Sequence, residues 1–178
     1  MKNDIEKILF DESKILKKVQ DLGLRISEDY KAKNPVLICI LRGSVIFLSD
    51  LMKNISVPLE IDFFSLSSYG ASTKSSGIVK IRKDIDTEIT GRHVIVVEDI
   101  VDSGLTLKYI EEYLSKHNPS SIKICALLDK PKAHKTEIKI HYKGFEIGNE
   151  FVVGYGLDFA EKYRNLPYIG ILKKEIYS

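Results

Sequence analysis

The sequence predicts an α/β fold with a mostly parallel central sheet flanked by helices. Three observations predict it. Short, continuously apolar runs such as Val36–Leu41 and Val94–Val97 read as strands buried on both faces, as parallel strands are. Between them lie stretches with apolar residues at three- and four-residue steps, the period of a helix that buries one side. The two kinds of segment alternate along the chain, which is the order of a parallel sheet with crossover helices.

The elements follow in order. Ile15, Val19, Leu22, Ile26 and Tyr30 predict an amphipathic helix between about Asp11 and Lys33, weakened in its middle by Gly23. Asn34-Pro35 ends it, because the residue before proline is pushed out of the helical region. Val36–Leu41 is a buried strand, Arg42-Gly43-Ser44 a turn, and Val45–Lys53 the next helix. Leu59–Leu66 mixes β-branched and aromatic residues and reads as a strand. Ser67–Gly77, rich in Ser, Gly, Thr and Ala, reads as a mobile loop, and Gly77–Lys83 as a further strand. Asp84–Gly91 turns the chain.

The most informative stretch is Val94–Leu107, Val-Ile-Val-Val-Glu-Asp-Ile-Val-Asp-Ser-Gly-Leu-Thr-Leu. The strand His93–Glu98 ends in two adjacent carboxylates, Glu98 and Asp99. A small-residue turn follows, and Leu107, Ile110 and Leu114 then mark one face of a helix running to about His117. Charge at the end of a buried strand marks the carboxyl edge of the sheet, where ligands of open α/β folds bind. Gly104 allows close backbone approach, the hydroxyls of Ser103 and Thr106 can donate to phosphate oxygens, and the helix start adds free N–H groups. No Gly-Lys-Ser/Thr or Gly-x-Gly-x-x-Gly is present, so neither a nucleoside-triphosphate P-loop nor a dinucleotide fingerprint is at hand. Three carboxylates would repel a bare phosphate. A sugar phosphate, whose diol can face Glu98 and Asp99, suits the pattern better.

Asn118-Pro119 stops that helix, and Ser121–Leu128 is a further strand. From Asp129 the chain is basic and loop-like through Lys135, with short strands expected at about Ile138–Tyr142 and Phe151–Tyr155. The chain has 178 residues, 44% hydrophobic and 29% charged, which suits one soluble domain with a core needing no disulfides or structural metal. A net charge of +2 gives no support to nucleic-acid or membrane binding. Cys39 and Cys125 sit in apolar runs and read as buried reduced thiols. The four histidines show no metal or triad spacing. No apolar stretch suits a signal peptide or membrane span, so a cytoplasmic location is the expectation.

Val94–Leu107 resembles the phosphoribosyl-diphosphate (PRPP) motif of the type I phosphoribosyltransferases. The acidic pair Glu-Asp, the loop Asp-Ser-Gly-Leu-Thr, the turn Leu-Arg-Gly-Ser and the run Gly-Tyr-Gly-Leu-Asp resemble the bacterial hypoxanthine-guanine branch, from about Ile5 to Leu172. The resemblance implies that family's fold, with a small hood over the base made of about residues 1–10 and 130–178. It assigns the 5′-phosphate to Asp102, Ser103, Gly104, Leu105 and Thr106, and the ribose hydroxyls to Glu98 and Asp99. Diphosphate falls to Arg42, Gly43, Ser68, Tyr69 and Arg164, with Ser67–Gly77 as a lid. The purine falls to Lys130, Phe151, Val152 and Asp158. Mg²⁺ is the implied cofactor, held by Glu98, Asp99 and Asp158. The resemblance also implies a cis peptide between Leu41 and Arg42, and a homodimer or homotetramer.

The activity it implies is purine salvage: transfer of 5-phosphoribose from PRPP to N9 of hypoxanthine or guanine, giving IMP or GMP and diphosphate. Asp102 is the expected catalytic base. A cationic donor at Lys130 favours a 6-oxopurine over adenine. Three other readings stay open: a xanthine-preferring enzyme of the same family, an RNA-binding regulator built on the same fold, and a non-catalytic ligand-binding domain. Arg42 where lysine is frequent, Leu105 where some relatives carry a longer polar residue, and Glu150 where some carry lysine leave preference among the 6-oxopurines undecided.

Overall fold

The structure, a computed structural model, describes residues 1–68 and 79–177. A 6-stranded sheet forms its centre, in the order β4-β3-β2-β5-β6-β7. Its strands are β2 (Val36–Leu41), β3 (Glu60–Ser68), β4 (Val79–Lys83), β5 (His93–Val101), β6 (Ser121–Asp129) and β7 (Tyr142–Glu146). All neighbours are parallel except β3 and β4. A second, 3-stranded antiparallel sheet joins β1 (Ile5–Phe10), β9 (Ile169–Leu172) and β8 (Val152–Val153). Among the described residues no helix is long and apolar enough to cross a membrane.

Alternation along the central strands explains their unbroken apolar runs. Leu37, Cys39, Ile95, Val97, Cys125 and Leu127 face helices α1 (Glu12–Asp29) and α2 (Val45–Lys53). Val36, Ile38, Val94, Val96, Ile124 and Ala126 face α3 (Leu105–Ser115) through Leu107, Ile110 and Leu114. With both faces covered, no position in these strands has water to face, so no polar alternation survives. Each fully buried Leu, Ile or Val contributes about 1.5–3 kcal/mol. Cys39 and Cys125 are buried free thiols, as expected, and burial pushes Cys39 up to about 12. The second sheet has its own cluster of Val153, Tyr163, Leu166 and Leu172.

α1 begins at Asp11, whose carboxylate accepts a hydrogen bond from the Lys14 N–H at 2.8 Å, and it ends at Asp29, earlier than the expected Lys33. Gly23 in its middle is there for packing. A Cβ at that position would stand 2.6 Å from the Asn54 carbonyl oxygen, so the glycine lets α1 lie against the end of α2.

Three expected strands need correction. β5 continues through the acidic pair to Val101 instead of ending at Glu98. The pair lies at the carboxyl rim of the sheet, past the last residue of β5 that pairs with β2. The strand expected at Ile138–Tyr142 forms four residues later, as Tyr142–Glu146, beside β6. Ile138 and Ile140 instead pack against the α3 side of the core, and Gly144 supplies the close approach to the Leu127 carbonyl. β7 therefore joins the central sheet, although it falls within the stretch expected to make the hood. The strand expected at Phe151–Tyr155 is only Val152–Val153, because Gly154, Tyr155 and Gly156 take φ of 99°, 51° and 99° and leave the extended region.

A buried carboxylate ties the turn after β4. Asp62 in β3 accepts hydrogen bonds from the N–H groups of Phe63, Asp86 and Thr87 at 2.6–2.7 Å and pairs with Lys83 at 3.4 Å. Burial alone would raise its pKa, but the backbone donors together outweigh it and hold the carboxyl below the usual aspartate value. A depressed folded pKa contributes stability that is present above the unfolded pKa and is lost as pH falls through the folded value. Asp62→Ala is expected to cost about 2–3 kcal/mol at pH 7, because it strands these donors. Denaturant melts of both proteins at pH 7 and pH 3 check this, and the gap should narrow below pH of about 4.

Candidate active site

The site lies at the carboxyl ends of β2, β5 and β6, the edge where ligands bind in open α/β sheets. β2 delivers the turn Arg42-Gly43-Ser44, and the Leu41–Arg42 peptide is cis. Ser44 is fully buried, and its Oγ accepts the Asp99 N–H at 2.9 Å, locking the first turn to the acidic pair. Gly43 lies directly against the Asp99 carboxylate, in space that a Cβ would fill.

The acidic pair is deeply placed. Burial, then the neighbouring Asp99, pushes the Glu98 carboxyl well above the usual range, and burial also raises Asp99. Glu98 Oε2 is buried without a hydrogen-bond partner. An orphaned carboxylate oxygen beside a second carboxylate is costly, and hydroxyl donors or a cation would relieve it. Among the described residues no cluster of three or more His, Cys, Asp or Glu side chains holds a metal by itself.

Two cavities meet here. The smaller, about 110 Å³, is lined by Glu98, Asp102, Ser103, Gly104 and Thr106, with Val101 and Leu107 behind them. Gly104 takes φ of 78° and caps α3, so the chain turns sharply enough to aim the N–H groups of the helix start into this space. Leu105 is exposed and contributes backbone only; its N–H reaches Ser103 Oγ at 3.4 Å. The larger cavity, about 310 Å³, runs from Arg42, Gly43 and Asp99 to Lys130, Phe151 and Val152, with Asp158 and Arg164 on its other wall. Asp102 lines both, and its Oδ2 lies 3.7 Å from Lys130 Nζ.

The far wall is held by tight turns. Arg164 donates to the Gly156 carbonyl at 2.8 Å and pairs with Asp158 at 2.9 Å. Asp158 also accepts the Glu161 N–H at 2.9 Å. Phe151 stacks on Tyr177 with ring centroids 4.8 Å apart and meets Phe159 edge-on. Gly156 touches the Gly43 carbonyl, which brings the Gly-Tyr-Gly-Leu-Asp run against the β2 turn.

Most of the residues singled out in the sequence therefore converge on one place. Ser68 ends β3 and pairs through its backbone with Val79. Tyr69 and the rest of the expected lid lie outside the described residues. Sequence reading missed Ser44, Ile100, Leu157 and Glu161. Ser44 stood in a quoted motif but read as a plain turn residue, and Glu161 carries no local signal. It also missed the brace behind Lys130, where buried Asp129 pairs with His134 at 2.7 Å and Lys143 at 3.2 Å. The Lys135 N–H then bonds the Ser103 carbonyl at 2.9 Å, so one loop ties Lys130 to the phosphate-type turn.

Residues 6–160 match the family model described as the phosphoribosyl transferase domain. A hypoxanthine-guanine phosphoribosyltransferase from Bacillus subtilis (strain 168) is 52% identical over 177 residues, covering 99% of this chain and 98% of that protein. A crystal structure of a hypoxanthine phosphoribosyltransferase from Staphylococcus aureus superposes with a TM-score of 0.96 at 47% identity, covering 100% of this chain and 97% of that one. A Trypanosoma cruzi hypoxanthine phosphoribosyltransferase, solved as a ternary substrates complex, superposes at 0.93 with 39% identity over 99% of this chain and 100% of that one. With sequence, fold and site geometry in agreement over the full length, the chain belongs to the phosphoribosyltransferase family, in its hypoxanthine-guanine branch.

Proposed function

We propose that this chain transfers 5-phosphoribose from PRPP to N9 of hypoxanthine or guanine, giving IMP or GMP and diphosphate in purine salvage. The observation that carries the proposal is the pair of adjoining cavities with Asp102 between them. One offers a helix start, two hydroxyls and an unpaired carboxylate oxygen, the needs of a ribose phosphate. The other offers a cation, an aromatic ring and two arginines, the needs of an oxopurine and a diphosphate.

In this reading Ser103, Gly104, Leu105 and Thr106 hold the 5′-phosphate, and Glu98 and Asp99 accept from the ribose hydroxyls. Lys130 donates to the purine O6, while Phe151 and Val152 pack on the base. Arg42, Gly43, Ser68, Tyr69 and Arg164 receive the diphosphate. The bond from the anomeric carbon to diphosphate breaks with its electron pair leaving on oxygen, and N9 bonds to that carbon. Asp102 takes the N7 proton. Catalysis then rests on positioning and electrostatics around a sugar carbon that becomes cation-like. Glu98, Asp99 and Asp158 do not form a three-carboxylate site by themselves, so they would hold Mg²⁺ only together with the substrate's phosphates, and the ion would supply charge neutralisation for the departing diphosphate.

Two structural expectations belong to the same reading. The small sheet and its flanking turns, within residues 1–10 and 130–178 but without β7, cover the base. The working form is a cytoplasmic homodimer or homotetramer.

Initial rates with PRPP and Mg²⁺, comparing hypoxanthine, guanine, xanthine and adenine, test the proposal. Hypoxanthine and guanine should turn over at least about 10²-fold faster than adenine in kcat/KM, since adenine leaves the Lys130 donor without an acceptor. Xanthine as the best substrate would move the assignment to the xanthine-preferring reading. No turnover with any base would remove it.

A further inference from the structure

The two arginines assigned to diphosphate are already engaged by one carboxylate. Glu161 accepts from Arg42 Nη2 at 2.7 Å and from Arg164 Nη2 at 3.1 Å. The two pairs differ in what else holds the arginine. Arg164 is fixed independently, by the Gly156 carbonyl and Asp158. For Arg42, Glu161 is the one acceptor recorded among the described residues, and both side chains of that pair are more than half exposed. Glu161 is itself held in place. Its N–H is tied to Asp158, and its backbone is left-handed at φ 62° in a turn that also puts Ala160 at 50° and Tyr163 at 75°. The turn thus presents a carboxylate to the mouth of the cleft. A guanidinium fork receives a carboxylate and a phosphate with the same planar geometry, so the two anions compete for it.

We infer that Glu161 is an internal competitor for the diphosphate subsite: its carboxylate occupies Arg42 and Arg164 until the diphosphate of the substrate displaces it, and returns as diphosphate leaves. Glu161 therefore sets affinity for PRPP and for the released product, without touching the reacting atoms. The inference rests on the reading of Arg42 and Arg164 as diphosphate ligands. The opposite role, in which Glu161 aligns the arginines for the substrate, predicts the opposite sign when its charge is removed.

The test is isothermal titration of the full chain with inorganic diphosphate in the presence of MgCl₂, for wild type, Glu161→Gln, Arg42→Ala, Arg164→Ala and the Glu161→Gln/Arg42→Ala double variant. Glutamine keeps the size of the side chain and the backbone N–H to Asp158, and circular dichroism melts verify that the fold is kept. Glu161→Gln is expected to bind diphosphate about three- to five-fold more tightly, the scale of an exposed ion pair. The PRPP KM should fall in parallel. In the Arg42→Ala background most of that gain should vanish, because the competed group is gone. Unchanged or weaker binding by Glu161→Gln, with Arg42→Ala still weakening diphosphate, overturns the inference alone. A gain that persists undiminished without Arg42 also overturns it. If Arg42→Ala and Arg164→Ala both leave diphosphate affinity untouched, the diphosphate reading falls and the inference with it.

Discussion

Asp102→Asn should lower turnover by about 10²–10⁴-fold, the usual worth of a general base, while the KM for PRPP stays within about three-fold. Asparagine preserves the shape and hydrogen-bonding size of the side chain, so the walls of both cavities stay where they are. What it cannot do is take a proton. Asp102 is given that task in the proposed reaction because it lines both adjoining cavities, with its side chain 62% exposed and Lys130 Nζ 3.7 Å away. A carboxylate is a poor ligand for a phosphate, so its presence in a phosphate-type turn asks for another purpose. Steady-state kinetics at saturating hypoxanthine, varying PRPP, separate the two parameters. Equal losses in turnover and PRPP affinity would remove Asp102 from the role of base.

Gly43→Ala should lower turnover by about 10²-fold and raise the PRPP KM by about ten-fold, since a displacement near 1 Å at a reacting centre costs that much. Gly43 lies outside the left-handed region, so alanine meets no backbone penalty there. Its methyl group instead meets the Asp99 carboxylate, which is buried. Asp99 is further fixed by its own N–H to Ser44 Oγ and by its Oδ1, which accepts the Ile100 N–H at 2.8 Å. Asp99 must therefore shift or the β2 turn must open. Gly91→Ala is the control. Gly91 takes φ of 71° with nothing within 4 Å of a Cβ, so alanine should cost stability of about 1 kcal/mol and leave both kinetic parameters unchanged. Activity loss at Gly91 comparable to that at Gly43 would mean that folding, not Asp99, explains both.

The sequence read well where one short segment carries the whole signal. β2 and α2 lie at the predicted residues, because a buried strand and an amphipathic helix are each written in local periodicity. The Val94–Leu107 motif likewise carries strand, carboxylates, turn and helix start within a single stretch. It read less well where two local solutions are similar. Ile138–Glu146 holds alternating apolar residues on either side of His141, and only the match of Gly144 to the Leu127 carbonyl selects the later register. Phe151–Tyr155 has strand composition, yet the left-handed backbone from Gly154 to Gly156 cuts it short.

The family resemblance alone pointed to Lys130, Phe151, Asp158 and Arg164, whereas by itself the sequence determined the fold class, the carboxyl edge that would carry the site, and the acidic pair and small-residue turn on it. Those properties follow from burial patterns and turn chemistry that act within a few residues of one another. Only the tertiary structure decided how those residues are held. The Ser44–Asp99 bond joins positions 55 apart, and the Arg42–Glu161 pair joins positions 119 apart. No periodicity or motif encodes such pairs, because their energies arise only after the sheet has brought distant turns to the same rim and removed the water between them.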